Sequence, residues 1–172
     1  RWLAGRLPDA VRYALTAAIG PRYQAIKLGV AAATIVLVGA ATGETVVRSP
    51  DGAVAEAEVT PTGLRVRVTC GDPLDEVVLR SYCVGAAHMA LGWVTAEGLS
   101  VDEDGEVHDL TVRSFGVLRA ADTPPIEVVL DDAGGEPVNG SDAVFAAVAL
   151  AVWRHQGCPP DWPTGQGLLF SP

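Results

Sequence analysis

The stretch Gly85-Ala-Ala-His-Met-Ala-Leu-Gly-Trp-Val-Thr-Ala-Glu97 carries no Asp, Glu, Lys or Arg until its last residue. Across residues 77–97, Val84, Ala87, His88, Leu91 and Val94/Thr95 recur at steps of three and four, the period of one helix face. Gly85, Ala86, Ala90 and Gly92 are interleaved with them. A glycine inside a helix costs about 1 kcal/mol against alanine, so two of them call for compensation. Close approach by a sheet, a partner or a ligand is the expected form.

Working outward from this helix, residues 64–70 read Leu-Arg-Val-Arg-Val-Thr-Cys. Leu64, Val66, Val68 and Cys70 share one side, and Arg65, Arg67 and Thr69 the other, which predicts a half-buried strand. The turn signals Ser49-Pro-Asp-Gly52 and Thr60-Pro-Thr-Gly63 bracket a further strand over 53–59 and make the pair a hairpin. A short strand over 44–48 precedes them. Downstream, Asp102-Glu-Asp-Gly105 reads as the tip of a second hairpin and 106–116 as its strand. Asp122-Thr-Pro-Pro125 is extended and leads into a strand over 126–130, followed by a polar, glycine-rich loop over 131–138. A final helix over 143–155, capped by Ser141 or Asp142, is apolar almost all round and therefore buried. Gly157-Cys-Pro-Pro160 stops it, and the tail to 172 is irregular.

Before residue 50 the chain reads as a helix over 7–20 and a buried strand over 34–39. The apolar run 28–41 is shorter than the roughly 20 residues of a membrane-spanning helix, so no membrane association is expected. The opening residue Arg1 is not Met, as at the start of an internal piece of a longer product. The organisation is thus an unassigned unit at 1–50, a subdomain at 51–156 and a tail at 157–172. The fold class is α+β: strand hairpins packed against a glycine-rich helix and a buried C-terminal helix.

A formal charge of −9 with scattered basic residues argues against nucleic acid as a partner. Cys70, Cys83 and Cys158 form no CxxC pair, so neither an iron–sulfur cluster nor a structural zinc is expected. Three separate thiols suit a reduced, cytoplasmic setting.

Three blocks, 85–97, Asp122-Thr-Pro-Pro-Ile-Glu-Val-Val-Leu130 and Pro137-Val-Asn-Gly-Ser-Asp-Ala143, occur in an order and spacing that carry a family resemblance. The chain resembles the C-terminal part of the molybdopterin-binding large subunit of the xanthine dehydrogenase/aldehyde oxidase family, the molybdenum hydroxylases. The resemblance covers residues 52–155 and is most specific over 80–97. It implies a fragment or subunit of a hydroxylase complex. Molybdopterin would be held mainly by a partner chain, with iron–sulfur clusters and FAD in other subunits. It also implies contacts to the cofactor from Gly85, Gly140 and Ser141. Where the family carries a pterin-contacting Gln, this chain has Tyr82, and where it carries a catalytic Glu, this chain has Asp142. The alternative is a catalytically silent structural or binding module derived from the same fold.

Each candidate also has a plain structural reading. Asp142 is either a shortened general base or a helix N-cap. His88 is either a ligand or a packed, hydrogen-bonded core residue. Gly134-Gly135 and 139–141 form either an anion-binding nest or a surface loop. Asp102-Glu-Asp104 is either a cation site or a solvated tip. His108 and His155 have no acid at metal-ligand spacing. Ser114 and Thr95 lack a His–Asp pair, so nucleophilic catalysis has no support. Trp153, Trp162 and Phe170 either anchor a subunit interface or close the edge of the core.

Overall fold

In the computed structural model, which describes residues 42–108 and 111–168, the alternation at 64–70 becomes a strand with one dry and one wet face. Four strands form a single sheet in the order β1 (Val46–Arg48), β2 (Val54–Thr60), β3 (Gly63–Thr69) and β4 (Ile126–Leu130). β1–β2 and β2–β3 pair antiparallel, whereas β4 runs parallel to β3. Tight turns make the antiparallel part: the Ser49 carbonyl accepts from the Gly52 N–H at 3.0 Å, and the Thr60 hydroxyl donates to the Gly63 carbonyl at 3.1 Å.

Leu64, Val66, Val68, Ala55 and Val128 are buried on the dry face. On the wet face, Arg65 bridges Glu58 at 3.1 Å and Glu127 at 2.9 Å, while Arg67 pairs with Asp131 at 2.9 Å. Exposed pairs such as these contribute little stability. They do fix which face meets water, because a one-residue slip would bury every charge.

Three helices follow: α1 (Glu76–Thr95), α2 (Val112–Phe115) and α3 (Ser141–His155). α1 starts where Asp75 Oδ1 accepts from the N–H groups of Val77 (2.8 Å) and Val78 (3.0 Å). Cys83, Ala86, Ala87, Ala90, Leu91 and Val94 form its buried face. α3 buries Ala143, Val144, 146–150, Val152 and Trp153, and it packs against both α1 and the sheet. The small alanines let the two helix backbones come close. By length and composition α1 could cross a bilayer, yet its inward residues belong to the common core.

The α+β class, the first hairpin and both long helices agree with the sequence expectation. The strand expected over 106–116 does not form. The hairpin tip closes with one bridge between Val101 and Val107, and Val112–Phe115 turns into helix instead. A reciprocal capping box explains the switch: the Thr111 side chain accepts from the Ser114 N–H at 3.1 Å, and Ser114 Oγ accepts from the Thr111 N–H at 3.2 Å. The helix and strand expected over 7–20 and 34–39 lie outside the described residues.

The tail is irregular but packed. Trp162 meets Trp93 and Trp153 edge-on, at ring distances of 4.5 and 5.5 Å. The N–H groups of Thr164 and Gly165 donate to the carbonyls of Val94 (2.8 Å) and Thr95 (3.1 Å), capping the end of α1. Trp153 and Trp162 therefore close the core edge, and Phe170 lies outside the described residues.

Candidate functional site

The loop 131–140 and the start of α3 are held by the β3–α1 connection. The Val138 N–H donates to the Cys70 carbonyl at 2.9 Å, and the Asp72 N–H to the Gly135 carbonyl at 3.0 Å. Gly71, at φ +72°, lies so close to the loop that a β-carbon would sit 2.1 Å from the Glu136 carbonyl oxygen. Gly140 is buried, with space for a β-carbon limited by Val68 and Cys70. Ser141 and Asp142 are half-buried beside it.

Neither Ser141 nor Asp142 is the N-cap of α3, contrary to expectation. Gly140 takes that position and no side chain caps the helix. Asn139 Oδ1 instead accepts from the Ser141 N–H at 3.0 Å in an Asx turn, and the helix starts at Ser141, two residues before the expected 143. Asp142 therefore lies in the first turn, where its charge suits the positive end of the helix dipole without a capping bond.

At Gly85 a β-carbon would meet nothing within 4 Å, so no described part of this chain is the close neighbour, and of the three expected forms the sheet is not the one at this position. Gly85 lies on the outward face of α1 near Tyr82, which is 64% exposed. Close packing is done by Ala86, Ala87 and Ala90, all essentially inaccessible to solvent. Val84, expected inward, is also exposed. Gly85 is thus exposed on the outward side of α1, whereas Gly140 is buried against Val68 and Cys70. A cleft of about 280 Å³, lined by residues such as Ala57, Leu150, Arg154 and His155, contains none of Gly85, Gly140, Ser141 and Asp142. Gly140 and Ser141, adjacent at the start of α3, could hold only part of a pterin, and the rest would fall to another chain. No cradle joins Gly85, Gly140 and Ser141, and the position of the expected amide holds an exposed phenol.

The remaining candidates have local partners. His88 Nε2 is 3.0 Å from the Leu118 carbonyl, which is the packed-histidine arrangement. His108 Nε2 lies 2.8 Å from Asp102 Oδ2. Asp102 Oδ1 also accepts from the N–H groups of Asp104 and Glu106 at 3.1 and 2.9 Å, so this carboxylate organises the hairpin tip. The bond from His108, then the backbone bonds, hold the Asp102 carboxyl below its usual range. The Thr95 hydroxyl donates to the Leu91 carbonyl at 2.7 Å, and Ser114 is part of the capping box. Among the described residues, no group of three or more His, Cys, Asp and Glu side chains could hold a metal ion.

Two features were not visible in the sequence. Glu97 folds its carboxyl back onto Gly92, where a β-carbon would sit 2.6 Å from Oε1. Burial raises its pKa, and the neighbouring His88 partly opposes that shift. Arg80, the only cation within α1, donates to the Val128 carbonyl in β4. A glycine five residues before an acid, and a single Arg in an apolar helix, were the available signals. Cys70 and Cys83 are both buried free thiols. Burial, then the proximity of Cys70, pushes Cys83 up to about 11.

Comparison with known proteins adds likenesses of chain path. No family model matches the chain, and no curated protein sequence matches it. Among solved structures, it is similar to a Cu,Mo-CO dehydrogenase in its carbon monoxide reduced state, with 16% identity and a TM-score of 0.49. That alignment covers 59% of this chain and 15% of the other. A reconstituted CO dehydrogenase from Oligotropha carboxidovorans aligns at 16% identity and a TM-score of 0.46, over 56% of this chain and 14% of that one. Quinoline 2-oxidoreductase from Pseudomonas putida 86 aligns at 16% identity and a TM-score of 0.49, over 59% and 14%. The superpositions are loose, and the chain spans only a small part of each larger protein.

Proposed function

We propose that the chain is a subunit or split fragment of a molybdopterin-dependent hydroxylase or dehydrogenase complex, completing a cofactor-binding subunit whose larger part belongs to another chain. The observation that carries this reading is the element plan. Hairpin, glycine-containing helix, Pro-led strand, glycine-rich loop and final helix follow one another along the chain and share one core, while the second hairpin that the resemblance also implies is reduced to a single bridge. The separation of Gly85 from Gly140 supports a division of labour, since a cofactor would have to be held mainly by the partner. Iron–sulfur clusters and FAD belong to other subunits on this reading. Three free thiols are in keeping with a cytoplasmic location.

In this reading the chain's own contribution lies at the start of α3. Gly140 keeps the backbone close to β3, Ser141 offers a hydroxyl, and Asp142 presents a half-buried carboxylate at the positive end of the helix. The bound cofactor would supply the redox chemistry. Asp142 would take up a proton there, with one methylene less reach than a glutamate. A displacement of about 1 Å can cost on the order of a hundredfold in rate.

The test is native mass spectrometry of the tagged chain purified from its own cells, with metal analysis of the same sample. A larger partner and stoichiometric molybdenum are expected. A stable assembly of this chain alone, free of molybdenum, overturns the proposal. The second reading, a catalytically silent module of the same ancestry, is favoured by exposed Tyr82 at the amide position. It gains if Asp142→Ala leaves the purified complex fully active.

A further inference from the structure

One face of α1 is apolar and left uncovered by the other described residues. Val78, Tyr82, Gly85 and Met89 follow one another at steps of four, three and four, the spacing of a helix-pairing seam. Leu74, Val77, Val78, Tyr82, Val84 and Met89 are 95, 78, 48, 64, 37 and 54% exposed. Leu74, Val78, Tyr82 and Met89, which share the side of the seam, together offer on the order of 500 Å² per copy, the upper part of the range for the largest patch on a monomer. Covered on two copies, that is roughly 1,000 Å², the threshold of a specific interface.

We propose that this face pairs with the same face of a second copy of the chain, α1 against α1 in antiparallel order about a two-fold axis. The pattern of side-chain sizes points to this occupant. With the axis midway between residues 83 and 84, Tyr82 of each copy lies over Gly85 of the other, and Val78 lies beside Met89. Leu74 then reaches the half-buried Trp93. The largest side chain in the middle of the seam thus meets the one position with no side chain, where open space is available. A parallel arrangement would set Tyr82 against Tyr82 and leave both glycine hollows empty.

Charge does not oppose self-pairing despite the net −9 of the chain. The seam contains no ionisable acid or base other than the tyrosine phenol. Arg80 is turned to the Val128 carbonyl, and Glu97 is folded onto Gly92. A two-fold contact of this kind is self-complementary and closes on itself, so it ends at a dimer. It leaves the start of α3 open to a partner, as the proposed role requires, but it covers Gly85, which in the paired chain then contacts no cofactor.

The purified full chain, examined by sedimentation and light scattering, is expected at twice its 17.8 kDa mass. Gly85→Glu should give monomers with an unchanged far-UV spectrum, because the added side chain points into open space and glutamate is the better helix former. In a Cys158→Ser background, the double variant Val78→Cys/Met89→Cys should form a covalent dimer under mild oxidation, and Val78→Cys alone should not. A wild-type monomer at high concentration, a dimer indifferent to Gly85→Glu, or cross-linking through Val78→Cys alone each overturns the proposal.

Discussion

The α-carbon of Gly71 faces the carbonyl of Glu136 so closely that a β-carbon would fall 2.1 Å from the oxygen, with the glycine at φ +72°. Both the backbone angle and the space exclude any other residue. Gly71→Ala is therefore expected to lower stability by about 2 kcal/mol or more. In a chain of this length that is a fall of roughly 5 °C in Tm. Thermal melts followed by circular dichroism check it; an unchanged melt would mean that the loop 131–138 does not lie where the structure places it.

Asp75 accepts two backbone N–H groups at the start of α1. Asp75→Ala should cost about 1 kcal/mol, and Asp75→Asn or Asp75→Ser should recover most of it. Urea unfolding midpoints of the three variants give the comparison.

The thiols should separate by burial. Cys158 is exposed and should react with an alkylating reagent in the native protein, whereas Cys70 and Cys83 should react only after unfolding. Cys83 also makes stability depend on pH. Its folded value of about 11 lies above the ordinary value of 9.0, so the unfolded chain gives up this proton first. The stability tied to the protonated thiol is intact below pH 9 and is lost as the pH climbs toward 11. Between those values wild type should lose on the order of 2 kcal/mol more than Cys83→Ala. Parallel slopes for the two proteins would remove the thiol as the cause.

Asp142 bonds no backbone N–H, so its removal should barely affect the fold. Asp142→Asn is expected to change stability by no more than about 1 kcal/mol, the scale of a helix-dipole contact. If the carboxylate is the proton acceptor of an assembled enzyme, the same change should lower kcat at least a hundredfold with little change in KM. Measuring both quantities on the same preparation separates a chemical from a merely local role.

Much of this architecture was legible because its signals are periodic. Leu64, Val66, Val68 and Cys70 alternate, and the apolar circumference of α3 leaves no wet side. Local competition defeated the reading at 106–116. The Thr111–Ser114 capping box uses a serine where the better-known pattern has Glu or Gln, so a helical turn was hidden in a β-rich composition. At Gly85 a glycine records that space is available and not what fills it, and among the described residues nothing comes within 4 Å of a β-carbon there. The pairing of Glu97 with Gly92 and the reach of Arg80 depend on folded geometry. No spacing rule reports them.

The tail bonds at the end of α1 bear on where the folded unit stops. Thr164 and Gly165 satisfy carbonyls that the last turn of α1 would otherwise leave to solvent, and Trp162 fills the angle between Trp93 and Trp153. The chain after α3 therefore packs back onto the end of α1 as far as Gly165. Any excised or transplanted version must run at least to Gly165, since a shorter one would begin to fray at the helix that carries the exposed seam.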